Sequence, residues 1–441
     1  MTKKFFYAFL AVVTVILLTG CSTRTVDRMY CLPKRSEAYT DLQVAIDSAM
    51  NGLEYWAPIS GENQQTVQTA DLDGDGTSEC LLYAKGTGEK PLQILIFRAT
   101  EEGYELAEVI SSYGTYFDQV EYVSVDNKPG LELVVGRQLS DQVVRSVSVY
   151  SFGSGQSEQL VSVNCSRYLT CDLDADYNKE LVVLRAGESE EDNGVAEYYS
   201  FAGGVMERST EVAMSEPAEQ MKRIVVSKLA DGTPAVYVAS SVDENAIITD
   251  IFAIVDNHFV NVTFSNESGT SVRTLRNYFV YADDIDDDGI VELPSLITIS
   301  SNSRNLQGIS QQYLVRWYAM MPNGDEVNKL YTYHNFGGGW YVVLDEEWID
   351  QIEIVQQDGE YSFYLLDETE GNSQKIMTIY AFTGQDREEL AVTENRFVLT
   401  RGESVVYAAQ LDVAAVSYGI DSERLIESFH LIHQDWRTGE T

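Results

Sequence analysis

The sequence predicts an all-β fold: a β-propeller of six or seven four-stranded blades, with a short helix near each end of the chain. Three observations lead to this prediction. Short runs of β-branched and aromatic residues are broken by Gly, Asp, Asn and Ser; an acidic turn recurs about every 53 residues; and a hairpin signature recurs within the same units. A unit of that length has room for one four-stranded blade, and blades in a ring bury both faces of each sheet. A β-sandwich is the structural alternative, but it explains the strands without the period.

The first 20 residues have the features of a secretory signal peptide. Lys3 and Lys4 precede an apolar stretch, Phe5 to Leu18, that is shorter than the roughly 20 residues of a membrane-spanning helix. Leu18-Thr19-Gly20-Cys21 follows, and it resembles the bacterial lipobox, which implies a lipidated Cys21 as the mature N-terminus. An uncleaved transmembrane anchor is the less favoured alternative. We expect an extracytoplasmic lipoprotein, held on the bacterial cell membrane by its acyl chains.

The lipidated Cys21 and a tether occupy residues 21–35, and a helical lead-in occupies residues 36–54. Ser36 to Met50 is predicted to be helical because apolar side chains recur at spacings of three and four. A C-terminal helical segment is predicted over residues 413–441, with Asp421 or Ser422 as its N-cap. Its apolar stripe contains Leu425, Ile426, Phe429 and Ile432.

Residues 55–412 are predicted to form the propeller. The clearest strands are Leu92–Phe97, Leu131–Val135, Val143–Tyr150, Leu181–Leu184, Ala235–Val238 and Lys375–Phe382. Hairpins are indicated where a strand ends in aromatic residues and a Gly-containing turn follows, because Gly supplies the positive φ of tight turns. Such turns follow Phe97, Tyr150-Ser-Phe152, Tyr199-Ser-Phe201, Asn335-Phe336 and Tyr380-Ala-Phe382.

The repeat is defined by a nine-residue acidic turn directly before an apolar strand. The turns are 71–79, 124–132, 172–180, 227–235 and 284–292, so their separations are about 48 to 57 residues. A weaker sixth unit is indicated at Gln357-Asp358-Gly359-Glu360, before Tyr361–Leu366. Because the turn stands directly before an apolar strand in every repeat, each repeat is expected to form one structural unit.

Three of these turns have the composition of a calcium site. Carboxylates stand at positions 1, 3, 5 and 9, and a backbone carbonyl at position 7 would complete a shell of hard oxygens, as Ca²⁺ prefers. The predicted ligand sets are Asp71, Asp73, Asp75, Thr77 and Glu79; Asp172, Asp174, Asp176, Asn178 and Glu180; and Asp284, Asp286, Asp288, Ile290 and Glu292. Position 6 is occupied by Gly76 in 71–79, by Tyr177 in 172–180 and by Gly289 in 284–292. Up to three structural calcium ions are predicted; solvated Asp-Gly turns are the alternative.

The other two turns have lost their acids and are predicted to keep the bend without metal. Lys128 stands at position 5 of the second turn, and Ser227 and Leu229 open the fourth.

The three acidic turns, with Phe152-Gly153 and Phe336-Gly337, resemble FG-GAP repeats of the integrin α type, which are similar to VCBS repeats. The resemblance covers most of residues 55–412. It implies a seven-bladed propeller with calcium in the Asp-rich loops, and it specifies architecture better than ligand.

The net charge of −39 disfavours nucleic acid as a partner. No nucleophile elbow or phosphate-binding loop occurs, so the sequence favours a monomeric binding module for a surface protein or glycan over an enzyme. The alternative is a carbohydrate-active or other hydrolytic enzyme on the same scaffold. Aromatic residues for sugar stacking, or for core packing, are Tyr113, Tyr116, Trp317, Trp340 and Trp348.

Two further groups have open interpretations. Cys165 and Cys171 are close enough in sequence to pair, but they and Cys31 and Cys80 are equally compatible with buried thiols. His430 and His433 are three residues apart on the predicted final helix, where a solvated helix face is favoured over a shared metal.

Overall fold

The computed structural model describes residues 37–140, 145–153, 155–189, 192–244, 246–278, 280–299, 313–357, 359–367 and 372–432. The signal sequence, Cys21, the tether, Cys31 and His433 lie outside these residues. The described residues divide into two compact units, one containing 37–57, 65–70 and 77–112, the other containing 58–64, 71–76 and the residues from 113 onward.

The first unit combines one helix with one antiparallel sheet. Helix α1 spans Glu37–Ala49. The first sheet contains β1 (Glu54–Tyr55), β2 (Val67–Ala70), β3 (Glu79–Lys85), β4 (Leu92–Thr100) and β5 (Gly103–Ser112), with both β1 and β2 along one edge of β3. Apolar residues of α1, including Leu42 and Ile46, pack on Leu82 and Phe97 of the sheet. The predicted lead-in helix therefore covers one sheet face.

The second unit contains the remaining sheets, and the first three of these are meanders of strands in sequence order. The second sheet contains β6 (Tyr116–Val123), β7 (Glu132–Gln138), β8 (Arg145–Ser151) and β9 (Glu158–Cys165). The third contains β10 (Arg167–Cys171), β11 (Glu180–Arg185), β12 (Val195–Ala202) and β13 (Val205–Ala213). The fourth contains β14 (Met221–Lys228), β15 (Pro234–Asp243), β16 (Ala246–Val255) and β17 (His258–Asn261).

The fifth and sixth sheets have five strands each. The fifth begins with β18 (Leu293–Thr298), β19 (Tyr313–Met320), β20 (Glu326–Asn335) and β21 (Trp340–Leu344). The sixth contains β22 (Ile352–Gln357), β23 (Glu360–Asp367), β24 (Asn372–Thr383), β25 (Phe397–Arg401) and β26 (Val405–Leu411), with helix α2 (Arg387–Leu390) between β24 and β25. Helix α3 (Ser422–Ser428) then leads into β27 (Phe429–Leu431), which pairs with β21. Short 3-10 helices lie at Ala218–Gln220, Val272–Thr274, Glu346–Trp348 and Val413–Tyr418.

The C-terminal helix is shorter than its apolar pattern indicates. Asp421 is its N-cap, as predicted, because its side chain accepts a hydrogen bond from the backbone N–H of Arg424. The helix ends at Ser428, and Phe429 pairs with Val342 as part of a strand. His430 therefore lies on a strand, where it stacks on Tyr341 with ring centroids 4.9 Å apart.

Consecutive sheets of the second unit pack face to face. Single clusters of buried apolar side chains join the second sheet to the third, the third to the fourth, the fourth to the fifth and the fifth to the sixth. At the last of these interfaces Phe363 is fully buried, and its ring meets that of Tyr333 edge to face at 5.5 Å. The predicted all-β class is confirmed; three of the six described sheets have four antiparallel strands, as predicted, and the other three have five.

The aromatic residues considered for sugar stacking or core packing fall into two groups. Trp317, Trp340 and Trp348 are buried in the core, whereas Tyr113 and Tyr116 are exposed.

A buried polar network fastens the irregular segment after β17 to the fourth sheet. Asp250 on β16 has no exposed surface, and its carboxylate accepts hydrogen bonds from the hydroxyls of Ser215 and Ser271, both at 2.6 Å. It also accepts from the Asn261 amide at 2.8 Å and from the Ser215 backbone N–H at 2.8 Å. Among the described residues, the Asp250 carboxylate is therefore held by hydrogen-bond donors and forms no ion pair.

The buried cysteines of the described chain are free thiols. Cys80, Cys165 and Cys171 form no disulfide. Burial raises the pKa of Cys165 and of Cys171 to about 12, so both stay protonated at neutral pH. The buried-thiol interpretation is thus the correct one for Cys165 and Cys171.

Candidate metal sites in the acidic loops

The acidic turns lie between or directly before strands of the sheets. Four of them join two strands that pair with each other, and the fifth lies directly before β18, the first strand of the fifth sheet. In four turns the ninth-position Glu pairs in register with the residue immediately before position 1. These pairs are Ala70 with Glu79, Val123 with Glu132, Cys171 with Glu180, and Asp283 with Glu292. The ladder thus closes a nine-residue loop whose base is fixed by the sheet.

In the loop 172–180, the first Asp organises the backbone. The Asp172 carboxylate accepts hydrogen bonds from the backbone N–H groups of Asp176, at 3.1 Å, and Tyr177, at 3.0 Å. Asp174 accepts from the Asp176 N–H at 3.2 Å, and Asp176 from the Asn178 N–H at 2.8 Å. These bonds turn successive carboxylates toward the loop interior. The side chain of Asn178 donates to Asp176, and its amide oxygen accepts from the N–H of Asn127 in the preceding turn at 3.1 Å.

The bend requires left-handed backbone at two positions. Position 6 has φ of 88° at Gly76, 76° at Tyr177 and 84° at Gly289. Tyr177 adopts the conformation of the glycines it replaces, which costs an L-residue roughly 1–2 kcal/mol. Position 4 is also left-handed, with φ of 63° at Ala175 and 58° at Asp287. The composition of the turns did not reveal this second requirement.

Glu180 closes the loop from the sheet side. Only 4% of it is exposed, and one carboxylate oxygen accepts from the backbone N–H of Leu173 at 2.8 Å. Burial, reinforced by the charges of Asp174 and Asp172, raises the pKa of Glu180 to about 7. A buried carboxylate in this position calls for a cation when it is ionised.

The four carboxylates of this loop converge. One oxygen from each of Asp172, Asp174, Asp176 and Glu180 lies within 4.8 Å of the others. A single ion with oxygen bonds of about 2.3–2.6 Å spans that separation, and all four donors are hard oxygens. The residues therefore fit a divalent cation of the calcium type.

The loop 284–292 has a similar geometry, but with three converging carboxylates and one added side chain. Asp284 accepts from the N–H groups of Asp288 and Gly289, at 2.9 and 2.8 Å, and one oxygen each of Asp284, Asp286 and Glu292 lie within 4.8 Å of one another. Ile290 donates its N–H to Asp288. The addition is a lysine: the Lys329 ammonium on β20 contacts Asp288, and this contact lowers the pKa of that carboxyl.

The first loop has the same local fold. Within the second unit, the Asp71 carboxylate accepts from the N–H groups of Gly74 and Gly76, at 2.8 and 3.0 Å, and Asp73 accepts from Asp75 at 3.3 Å. Thr77 and Glu79 belong to the first unit, where Thr77 is exposed and Glu79 is buried at the start of β3. Arg98 approaches Glu79 there, with Nε 3.6 Å from a carboxylate oxygen.

The two turns that have lost their acids, 124–132 and 227–235, keep the bend by different means. In 124–132, the Lys128 ammonium contacts Asp126, and the buried Glu132 accepts from the N–H of Val125 at 2.9 Å. In the fourth turn, β14 continues to Lys228, which pairs with Pro234, so the loop is shorter than nine residues.

Comparison with known proteins gives no family. No protein-family model matches the chain, and no curated protein matches it. Among solved structures, the exotype rhamnogalacturonan lyase YesX matches at 11% identity and a TM-score of 0.27, covering 73% of this chain and 67% of that one. The rhamnogalacturonan lyase YesW matches at 11% identity and a TM-score of 0.28, covering 73% and 66%. The chain thus spans about two thirds of each lyase, and a likeness this weak carries nothing about activity.

Proposed function

We propose that this chain is a calcium-stabilised binding module, tethered through a lipid on Cys21 to the outer face of a bacterial cell membrane. The observation that carries the proposal is the loop 172–180, where four carboxylates converge at the base of a sheet. Calcium there would offset the repulsion among the acids and fasten the loop to its sheet.

We further propose that the sheets are the blades of an FG-GAP-like propeller. The support is the series of face-to-face contacts from the second sheet to the sixth, each made by neighbours in sequence. Neighbouring acidic turns also touch. The Leu131 N–H donates to the Asp71 carbonyl at 3.0 Å, and the Lys179 N–H donates to the Ser124 carbonyl at 2.7 Å. The turns of the second and third sheets therefore lie side by side, as the loops of neighbouring blades do.

The proposed anchor is supported by the sequence alone. Lys3, Lys4 and the apolar stretch Phe5 to Leu18 have the pattern of a signal peptide, and Leu18-Thr19-Gly20-Cys21 resembles the lipobox. Among the described residues, no helix has the length and apolar character needed to cross a bilayer.

The binding role rests on the charge and on the kind of site present. A net charge of −39 suits a soluble surface module, and the convergent groups of the acidic loops are cation ligands. The partner is proposed to be a surface protein or glycan.

We expect the mature protein, with calcium, to bind a defined glycan or surface protein in an array and pull-down screen, and to turn over nothing in a panel of polysaccharide substrates. Binding should be lost with chelator and regained with calcium. Clean turnover of one substrate without a stable partner would replace the binding module with an enzyme.

Calcium should raise the melting temperature of the chelated protein, since a ligand at 100 times its Kd adds about 2.7 kcal/mol per site. The rise should be larger at pH 8 than at pH 5.5. The raised pKa of Glu180, about 7, favours the metal-free folded state at low pH, and this contribution disappears as the pH rises through 7. Calcium binding then restores the stability that the ionisation of Glu180 removes.

Differential scanning calorimetry with EDTA and with millimolar calcium measures this. Asp174→Ala should reduce the calcium-induced rise, because it removes one of the four converging carboxylates. Asp231→Ala in the shortened fourth turn is the matched control and should leave the rise unchanged. Equal melting temperatures with chelator and with calcium would refute the calcium proposal.

A further inference from the structure

The loop 284–292 already contains a cation from its own sheet. Lys329 lies on β20, and its ammonium hydrogen-bonds to Asp288. The same nitrogen is 3.7 Å from a carboxylate oxygen of Asp286 and 3.7 Å from Oε1 of Glu292. The ammonium therefore contacts three of the four acids predicted to bind metal there.

The Glu292 carboxylate shows why a cation is needed at this point. Glu292 has no exposed surface, and its Oε2 accepts from the Ile285 N–H at 3.2 Å. Among the described residues, its Oε1 has no hydrogen-bond partner. A buried ionised oxygen without a donor is costly unless a positive charge lies beside it, and the Lys329 ammonium is that charge.

The loop 172–180 differs in this respect. No lysine or arginine in the described part of the chain forms an ion pair with Asp172, Asp174, Asp176 or Glu180. The turn 124–132, which has lost some of its acids, does contain an ammonium group: that of Lys128, which forms an ion pair with Asp126. Two of the nine-residue turns thus carry a lysine, in one case from within the turn and in the other from a strand of the same sheet.

We propose that the Lys329 ammonium takes the place of the divalent cation in the loop 284–292, so that this loop is neutralised by the protein and the loop 172–180 takes the calcium. The inference rests on the proposed calcium binding and narrows it to particular loops. One ammonium supplies one charge and hydrogen bonds only to oxygens near it, whereas Ca²⁺ supplies two charges to a full shell. A calcium ion entering this loop must therefore displace the lysine.

Lys329→Met tests this in the mature protein by isothermal titration with calcium. The variant should bind one more calcium ion than the wild type, or bind at this loop roughly tenfold or more tightly, as the coupling of close charges implies. Adding Asp284→Asn should abolish the gain. Lys375→Met, which removes a lysine paired with Asp412 on the sixth sheet, is the matched control and should leave the stoichiometry unchanged.

Thermal unfolding gives a second readout. Chelated Lys329→Met should melt below the chelated wild type, and calcium should raise it by more than it raises the wild type. If the Met variant does not fold even with calcium, Lys329→Gln is used for the same titration.

Failure of this inference can be distinguished from failure of the calcium proposal. Equal calcium stoichiometry and affinity in wild type and Lys329→Met would overturn the inference while leaving the calcium proposal intact. A wild type that binds no calcium, beside a Lys329→Met variant that binds one ion, would refute the calcium cofactor and support the role of Lys329. No binding by either protein would refute both.

Discussion

Asp250→Ala is expected to lower the free energy of unfolding by about 3–5 kcal/mol, the cost typical of removing one partner from a buried charged network. The truncation leaves the hydroxyls of Ser215 and Ser271 and the amide of Asn261 without the acceptor they share. Each buried donor left unsatisfied costs about 1–3 kcal/mol before the site relaxes. Equilibrium denaturation by urea measures the loss.

Two further variants define the cause. Asp250→Asn keeps the shape and one acceptor oxygen, so its loss should be clearly smaller than that of the Ala variant. Glu244→Ala removes an exposed acid that precedes the same strand and should change stability by about 0.5 kcal/mol or less. Equal stability of Asp250→Ala and wild type would show that the network contributes nothing to holding the segment after β17.

Phe363→Ala should destabilise the protein by about 3–5 kcal/mol, because a fully buried ring is lost from the interface between the fifth and sixth sheets. Its edge-to-face contact with Tyr333 is lost as well. The same denaturation experiment applies, with Val413→Ala, at a side chain 91% exposed, as the control. A loss below about 1 kcal/mol would contradict the face-to-face packing on which the blade proposal depends.

The features that the sequence predicted well are local ones. A turn and the strand beside it are specified by residues a few positions apart, so the acidic turns and the strands after them could be recognised from spacing. The same holds for the loop 172–180. Its four acids are brought together by hydrogen bonds within nine residues, such as those that Asp172 accepts.

The features that were missed depend on distant contacts. Lys329 lies on β20, the third strand after the loop that it contacts, and nothing in the neighbouring sequence marks it as the counter-ion of Glu292. Phe429 has helical spacing from Leu425, yet pairing with β21 turns its segment into a strand. Asp250 carries no local signal either, since its partners come from three different segments.

The return of β27 to the fifth sheet sets an order on biosynthesis. Each earlier sheet is a run of neighbouring strands and is completed as soon as its own residues have left the ribosome. The fifth sheet instead waits until the whole sixth sheet has been made, and β21 has a bare edge during that interval. Unpaired strand edges promote association between chains. The last strand of the described residues thus also protects the nascent protein from aggregation.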